Sequence, residues 1–575
     1  MNEMTGSSVA TTSQVQSGLR VMRRAGKDCF LEILRQEGVR HIFGNPGTTE
    51  LPLIDALSRE REIEYVLSLQ EAVTVAMADG YAQAAGSLAV ANVHVAPGLG
   101  NAMGMLYDAY RAGSPLILTA GQHDQSLVAT EPVLWADLPH VAQPYTKWAV
   151  EVRRIEDLPR IVHRAAKVAM TPPTGPVFLS LPVDVLNATA EVDVGAPTRV
   201  APGIRPSPKS VQDVVATLEE AERPVFLLGD AVAQNAALVE AATLAELVGA
   251  DVYAEGMTNR CSFPFTHPLY LGALPRVGAQ LNAVLKDYDL LVSIGAELFN
   301  LALPSPVEPM PRSIATIHID VDPWELGKNH PTDLAITADP KAALEDIVQA
   351  FRHHCNGKHP RAEERAKDVA TRRQTMIQDL RSQAERGRPQ PMAPITFVAA
   401  IADAVTPETV IVDESISSHP GLRELLPCRD AQAFFGLRGG GIGWGLPAAV
   451  GVKIALPARP VVALVGDGSA LYSIQALWTA AREELGIVFV IVNNKSYRIL
   501  KQRVHSMGGY SVENDQYVGL DLDRPEIDFC RMAESLGVTA TRTANPDDVV
   551  DLVQDAIRSN KPCLIDVLVD GAFKG

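Results

Sequence analysis

The stretch Val461-Val462-Ala463-Leu464-Val465-Gly466-Asp467-Gly468-Ser469, continued further on by Ile487-Val488-Phe489-Val490-Ile491-Val492-Asn493-Asn494, decides the fold. Both apolar runs are rich in β-branched residues. With a helix expected over Ser473 to Glu484 between them, they read as buried parallel strands joined by a crossover. Such a unit leaves Asp467 and Asn494 at neighbouring strand ends on one edge of a sheet, the edge where open α/β sheets take ligands. The 27 residues from Asp467 to Asn494 suffice for one helix and one strand. A carboxylate, a side-chain amide oxygen and a nearby backbone carbonyl are hard ligands. They suit Mg2+, with Ca2+ able to replace it, in a shell completed by phosphate and water. The flanking glycines let backbone approach a diphosphate, and Ser469 stands where a helix N-terminus favours anions.

The rest of the chain is built in the same way. Leu88 to Val95 and Leu116 to Ala120 are strand-like around a helical Leu99 to Arg111. Val225 to Leu228, Leu290 to Ile294 and Ile317 to Val321 repeat the pattern, as do Val410 to Val412 and Cys563 to Val569. Short apolar runs alternating with amphipathic helices predict an α/β fold of three doubly wound parallel-sheet domains. A length of 575 residues is too great for one core. Pro197, Pro202, Pro206 and Pro208 mark one linker, and the charged segment 356–391, helical in its middle, reads as a second. The expected domains are therefore 25–192, 208–355 and 390–575, after a Ser/Thr/Gln-rich stretch, 1–24, expected to be a disordered tail.

Hydrophobic content of 47% describes a globular chain, and no apolar run reaches the ~18 residues that span a bilayer. The first residues lack the apolar core of a secretory signal, so the expected location is the cytoplasm, with no membrane partner. A net charge of −17 argues against nucleic acid, whose phosphates demand clustered Lys and Arg. The six cysteines are scattered without CxxC spacing and read as reduced packing thiols.

With the GDG and NN elements at this spacing, the chain resembles the thiamine-diphosphate-dependent enzymes over nearly its whole length, from about Gly26 to Val569. The pattern it is most similar to is that of the benzoylformate decarboxylase and acetolactate synthase group. Gly44-Asn45-Pro46-Gly47-Thr48-Thr49-Glu50-Leu51-Pro52, Leu69-Gln70-Glu71-Ala72, Asn101-Ala102-Met103-Gly104 and Tyr472-Ser473-Ile474-Gln475-Ala476-Leu477-Trp478 carry the resemblance. It implies a pyrimidine-binding, a middle and a diphosphate-binding domain. It also implies a cofactor site shared between two subunits, so a homodimer at least and a homotetramer in many members. The implied reaction is non-oxidative decarboxylation of a 2-oxo acid to an aldehyde and CO2. Carboligation, or cleavage of a 2-hydroxyacyl-CoA, is the alternative.

Within that resemblance Glu71 is the carboxylate that bonds N1′ of the aminopyrimidine; as a first-turn residue it also suits the helix dipole. Gly440 offers a carbonyl to the 4′-amino group, and Ile442 is the stiff apolar wedge that bends the coenzyme. Asp467, Asn494 and the Ser496 carbonyl bind the metal. Ser417, Gly468, Ser469 and Tyr472 surround the diphosphate. His94, at a strand end, is an acid-base group beside the reacting carbonyl, as a group of pKa near ~6.5 can be. Thr48 holds the substrate carboxylate.

The chain departs from the pattern in three places. No histidine stands near Ala302, where the pattern has a second acid-base histidine. The pocket helix reads Tyr497-Arg498-Ile499-Leu500-Lys501-Gln502-Arg503, which places Ile499, Leu500 and Arg503 in a pocket more basic than an aromatic 2-oxo acid needs. Gln122 and His123 lie in a pocket loop, where His123 could supply an imidazole. Two other classes compete. Gly98-Leu99-Gly100-Asn101-Ala102-Met103-Gly104 approaches the dinucleotide fingerprint of an NAD-dependent dehydrogenase, with its last glycine one residue late. A non-catalytic paralogue would keep the fold without the chemistry, and Glu71, Asp467 and Asn494 together argue against it.

Overall fold

The computed structural model describes residues 21–573. β1 (Met22–Ala25) pairs antiparallel with β8 (Thr189–Val192). The chain is therefore already in a strand at Met22, inside the stretch expected to be a tail; residues 1–20 of that stretch lie outside the described residues. The first sheet contains β2 (His41–Gly44), β3 (Glu64–Leu67), β4 (Ala89–Val93), β5 (Leu116–Gln122), β6 (Trp148–Glu151) and β7 (Val177–Pro182), in the order β3-β2-β4-β5-β7-β6. The middle sheet contains β9 (Pro224–Leu228), β10 (Asp251–Ala254), β11 (Tyr270–Ala273), β12 (Leu290–Ile294), β13 (Ala315–Asp320) and β14 (Leu334–Thr337), in the order β11-β10-β9-β12-β13-β14. The third contains β15 (Val410–Glu414), β16 (Phe434–Gly436), β17 (Val461–Gly466), β18 (Ile487–Asn493), β19 (Thr539–Thr543) and β20 (Cys563–Leu568), in the order β16-β15-β17-β18-β20-β19.

Every pairing within these three sheets is parallel, and helices cover both faces, as the unbroken apolar runs require. The first and third sheets share one topology. Their strand order reverses between β2 and β4, and between β15 and β17, so each has a switch point at the matching place.

The crossover between the two motif strands differs from the single helix expected over Ser473 to Glu484. A short helix, Asp467–Ala470, starts directly after β17, a turn follows, and the main helix runs only from Ala476 to Arg482. The turn is pressed against the glycine loop: a Cβ on Gly443 would lie 2.6 Å from the Tyr472 Cβ. The second expected linker is also no free connector. Its helix, Ala362–Arg386, is clamped to the middle sheet by arginines. Arg372 forks onto Asp251 (2.7 and 2.8 Å), and Arg373 donates to the carbonyls of Phe265 (2.6 Å) and Tyr270 (2.7 Å).

A single apolar cluster joins the facing sides of the first and third sheets. At its centre the helix Glu71–Ala85 crosses the helix Gly445–Ala455 at backbone contact. A Cβ on Gly451 would lie 1.9 Å from the Met77 carbonyl oxygen, and one on Gly80 would lie 2.4 Å from that of Ala448. Trp444 Nε1 donates to Asp79 (2.7 Å) across the same seam. Gly451→Val is expected to destabilise the protein by about 1–3 kcal/mol through overpacking. Gly104→Ala, where an added Cβ meets nothing within 4 Å, should leave the thermal midpoint near the parent's. Thermal unfolding of both variants checks this.

Candidate active site

At the switch edge of the third sheet, β17 ends at Gly466 and hands on to Asp467, whose side chain is buried at 3% exposure. Its Oδ2 has no hydrogen-bond partner among the described residues. Burial pushes this carboxyl up to about 7, against the pull of the backbone N–H groups of Gly468, Lys495 and Ser496. The amides of Lys495 and Ser496 belong to the turn after β18, so the two strand ends are adjacent, as the spacing predicts. In that turn Asn494 Oδ1 accepts from Ser496 N (3.1 Å) and Oγ (2.9 Å), and Lys495 adopts φ +56°. Asn493 is turned away, donating to Asp566 (2.9 Å). A buried carboxylate oxygen without a donor, beside an amide oxygen and a serine backbone, is a donor set that fits a hard divalent cation.

The groups around this edge follow from local packing. Gly468 has no room for a side chain, because a Cβ would lie 2.6 Å from the Tyr497 ring. Tyr472 is 57% exposed, on the solvent side. Ser469 is buried and hydrogen-bonds Glu414 at the end of β15. Ser417 follows Ile416, a β-branched residue at φ +48°, strain of the sort held at ligand sites. Gly440 needs its φ of +89°, and Ile442 beside it is half-buried. The loop is gripped from both sides. Gly441 N donates to Asp108 (3.0 Å), and Gly443 N to Glu414 (2.6 Å).

The second candidate edge lies at the switch point of the first sheet. His94 closes β4, and Val95 after it is held at φ +35°. His94 Nδ1 lies 2.8 Å from Glu50 Oε2 and 3.1 Å from Thr49 Oγ1. Glu50, 1% exposed, also accepts from Gly47 N (2.9 Å) and Gly121 N (2.6 Å), so its carboxylate is fully engaged. This pins one imidazole nitrogen and leaves the other without a hydrogen-bond partner among the described residues. Gly47 must be glycine, since a Cβ there would lie 2.2 Å from the imidazole ring. Thr48 is exposed at the start of a short turn, Thr48–Glu50, and it is Thr49 that touches the histidine.

Glu71 opens its helix behind a Gln70 cap and accepts from Asn101 (3.1 Å). Glu71 and His94 flank Gly98: a Cβ there would meet Glu71 Oε1 at 3.2 Å and the His94 Cβ at 3.5 Å. The glycines of the dinucleotide-like run lie inside the helix Val95–Ala112 and not in a turn ahead of it, which removes the basis of the dehydrogenase alternative. Gln122 is buried and donates to the Ala136 carbonyl (3.0 Å), while His123 contacts Gln122 (3.2 Å).

On the helix Arg498–Met507, two of the three lysine and arginine residues are spent on the protein. Arg498 donates to the carbonyls of Ser417 (2.7 Å) and Ala572, and Lys501 pairs with Asp521. Ile499 is half-buried, Leu500 is 45% exposed, and Arg503 has no ion pair among the described residues. Burial, and then the charge of Arg503, hold Arg276 below the usual arginine range. Arg276 Nε donates to the Asn300 carbonyl (3.1 Å), so a guanidinium stands next to the segment that lacks the second histidine. Sequence reading missed Arg276, Glu50, Glu414 and Asp108. Glu50 lay inside the quoted Gly44 to Pro52 motif and Glu414 at the end of an apolar run; Asp108 and Arg276 carried no local signal.

Comparison with known proteins gives the geometry its context. Three thiamine pyrophosphate enzyme domains match: the N-terminal TPP binding domain over residues 24–143, the central domain over 211–347 and the C-terminal TPP binding domain over 418–567. Benzoylformate decarboxylase of Pseudomonas aeruginosa is 33% identical over 540 residues, covering 93% of this chain and 97% of that protein. Acetolactate synthase isozyme 1 large subunit of Escherichia coli is 29% identical over 562 residues, covering 96% and 95%. Among solved structures, the thiamine diphosphate-dependent 4-hydroxybenzoylformate decarboxylase of Rhodococcus jostii RHA1 superposes with a TM-score of 0.84 at 30% identity, over 96% of this chain and 100% of that one. With three matching domains in chain order on three parallel sheets, and relatives aligned end to end, the chain belongs to the thiamine pyrophosphate enzyme family.

Proposed function

We propose that this chain is a Mg2+- and thiamine-diphosphate-dependent cytoplasmic enzyme that decarboxylates a 2-oxo acid to an aldehyde and CO2. The observation that carries the reading is the buried Asp467 carboxylate, one oxygen of which has no donor, at the switch edge of the third sheet. Asp467, Asn494 and the Ser496 carbonyl would hold the metal. Ser469 and Ser417 would donate to the diphosphate, with Gly468 and Tyr472 close by. Gly440 and Ile442 would seat the aminopyrimidine. Thiamine diphosphate, when bound, supplies a carbon nucleophile and an electron sink for breaking the bond next to a carbonyl.

The protein's own groups manage protons and position. Glu71 holds a proton at N1′ of the aminopyrimidine. Glu50 fixes His94 so that its free nitrogen gives or takes a proton at the substrate oxygen, and Thr48 holds the substrate carboxylate. Gln122, His123, Ile499, Leu500 and Arg503 line the substrate end. In this reading Glu71 of one subunit meets the diphosphate edge of another, so the working unit is a homodimer or homotetramer. A carboligase of the acetolactate synthase kind, or a 2-hydroxyacyl-CoA lyase, is the second reading. Arg503 beside Arg276 favours it, since two guanidiniums suit a larger or more anionic substrate.

A screen of pyruvate, benzoylformate and acyl-CoA substrates with product identification separates the two. Aldehyde and CO2 support the first, ligated acids or a released acyl-CoA support the second, and no turnover with added coenzyme and Mg2+ removes both. Glu71→Gln is expected to lower kcat about 10²-fold or more while coenzyme still binds. His94→Ala should lower it ~10²–10⁴-fold, with Glu50→Gln changing it in the same direction by less. Steady-state kinetics at saturating coenzyme checks both. Chelation should abolish activity and added Mg2+ restore it, whereas Asp467→Ala should not be rescued.

A further inference from the structure

The middle sheet has the strand order in which the crevice between β9 and β12 would receive a dinucleotide. Here that crevice is closed by the chain itself. A Cβ on Gly229, after β9, would lie 2.1 Å from the Gly295 carbonyl oxygen and 2.4 Å from the Ala296 Cα, both after β12. Gly229 N donates to Ile294 O (3.1 Å) and Ala231 N to Gly295 O (3.3 Å), tying the two turns together.

Three carboxylates stand at the ends of β9, β10 and β12: Asp230, Glu255 and Glu297. All three face one buried guanidinium from the third domain. Arg438, 8% exposed, lies 3.0 Å from Glu255, 3.0 Å from Glu297 and 3.6 Å from Asp230. Asp230 is fixed by the amides of Asn259 (2.9 Å) and Arg260 (3.1 Å). Glu297 is fixed by Arg111 (2.8 and 3.0 Å) and Asn300 (2.8 Å). Two buried carboxylates and the half-buried Glu297 at a strand edge disfavour a pyrophosphate and call for a cation.

Arg438 immediately precedes the loop Gly439 to Ile442. The helix Val95–Ala112 holds the loop and the socket from one face: Asp108 takes the Gly441 amide, and Arg111, one turn on, braces Glu297. We infer that the carboxyl edge of the middle sheet is a socket for Arg438 and not a nucleotide site, and that Arg438 is a positioning residue that sets the Gly439 to Ile442 loop against the coenzyme. The inference rests on the reading that Gly440 and Ile442 meet the aminopyrimidine. A guanidinium suits the task because its planar fork reaches several carboxylates at once, which an ammonium does not.

The test uses full-length protein with saturating Mg2+. It measures the thiamine diphosphate dissociation constant from tryptophan fluorescence, kcat and KM on the substrate the parent turns over, and FAD uptake by equilibrium dialysis. Arg438→Met is expected to raise the coenzyme dissociation constant and lower kcat, each about tenfold or more, as small misplacement of reacting groups does. KM should stay within about threefold, because substrate contacts are untouched. Arg438→Lys should fall between parent and Met, and the parent should take up no FAD. If Arg438→Met does not fold, Glu297→Gln decides, with a smaller change in the same direction expected. The inference is overturned if a folded Arg438→Met, or Glu297→Gln in its place, matches the parent in coenzyme affinity and kcat, or if the parent binds FAD stoichiometrically. A parent that binds no thiamine diphosphate would instead bring down the site reading beneath it.

Discussion

A carboxylate taken out of water needs a compensating charge or a full set of donors, since desolvating it costs several kcal/mol even after relaxation. Asp467 has the backbone N–H groups of Gly468, Lys495 and Ser496 near it and still keeps one oxygen without a partner among the described residues. That shortfall sits at the end of a central strand, where side chains converge from β15, β17 and β18. In the proposed function a divalent cation would resolve it, and a diphosphate would in turn balance the cation. Glu414, buried beneath the same edge, faces the same problem and solves it with the amides of Gly443 and Gly445. One acid is thereby used to shape the glycine loop and the other is left for a ligand.

The first and third sheets repeat one topology, and each keeps its candidate chemistry at its own switch point. In the third this is Asp467 with the Asn494 turn; in the first it is His94 with Glu50. Helices meeting at glycine contact weld the two domains into one apolar cluster. The middle domain contributes carboxylates, which reach the third domain through Arg438 and the first through Arg111. The glycine loop is therefore set by all three domains, and a disturbance in any of them reaches the proposed coenzyme seat.

Much of this was legible in the chain. The apolar runs ending in Gly466 and Val492 predicted β17 and β18 and their shared edge, because a buried parallel strand must be apolar on both faces. Glu71 was expected at a helix start and lies there. Long-range partnerships were not legible. Nothing local says that Asp108 will accept the Gly441 amide, or that Arg438 will insert among carboxylates as far away in sequence as Asp230. The charged segment 356–391 read as a linker, whereas its arginines reach backbone carbonyls of the middle domain, a use of charge that composition does not distinguish. The crossover helix expected over Ser473 to Glu484 is shorter, Ala476–Arg482, because the turn ahead of it packs Tyr472 on Gly443.

The account turns on a cation held between Asp467 and Asn494. The direct measurement is anomalous scattering from crystals of the full chain grown with Mn2+ and thiamine diphosphate. The account predicts one anomalous peak per subunit bonded to Asp467 Oδ2, to the Asn494 side-chain oxygen and to the diphosphate, with Glu71 of a second subunit on the aminopyrimidine. A coenzyme bound elsewhere, or a metal that avoids both side chains, would contradict it.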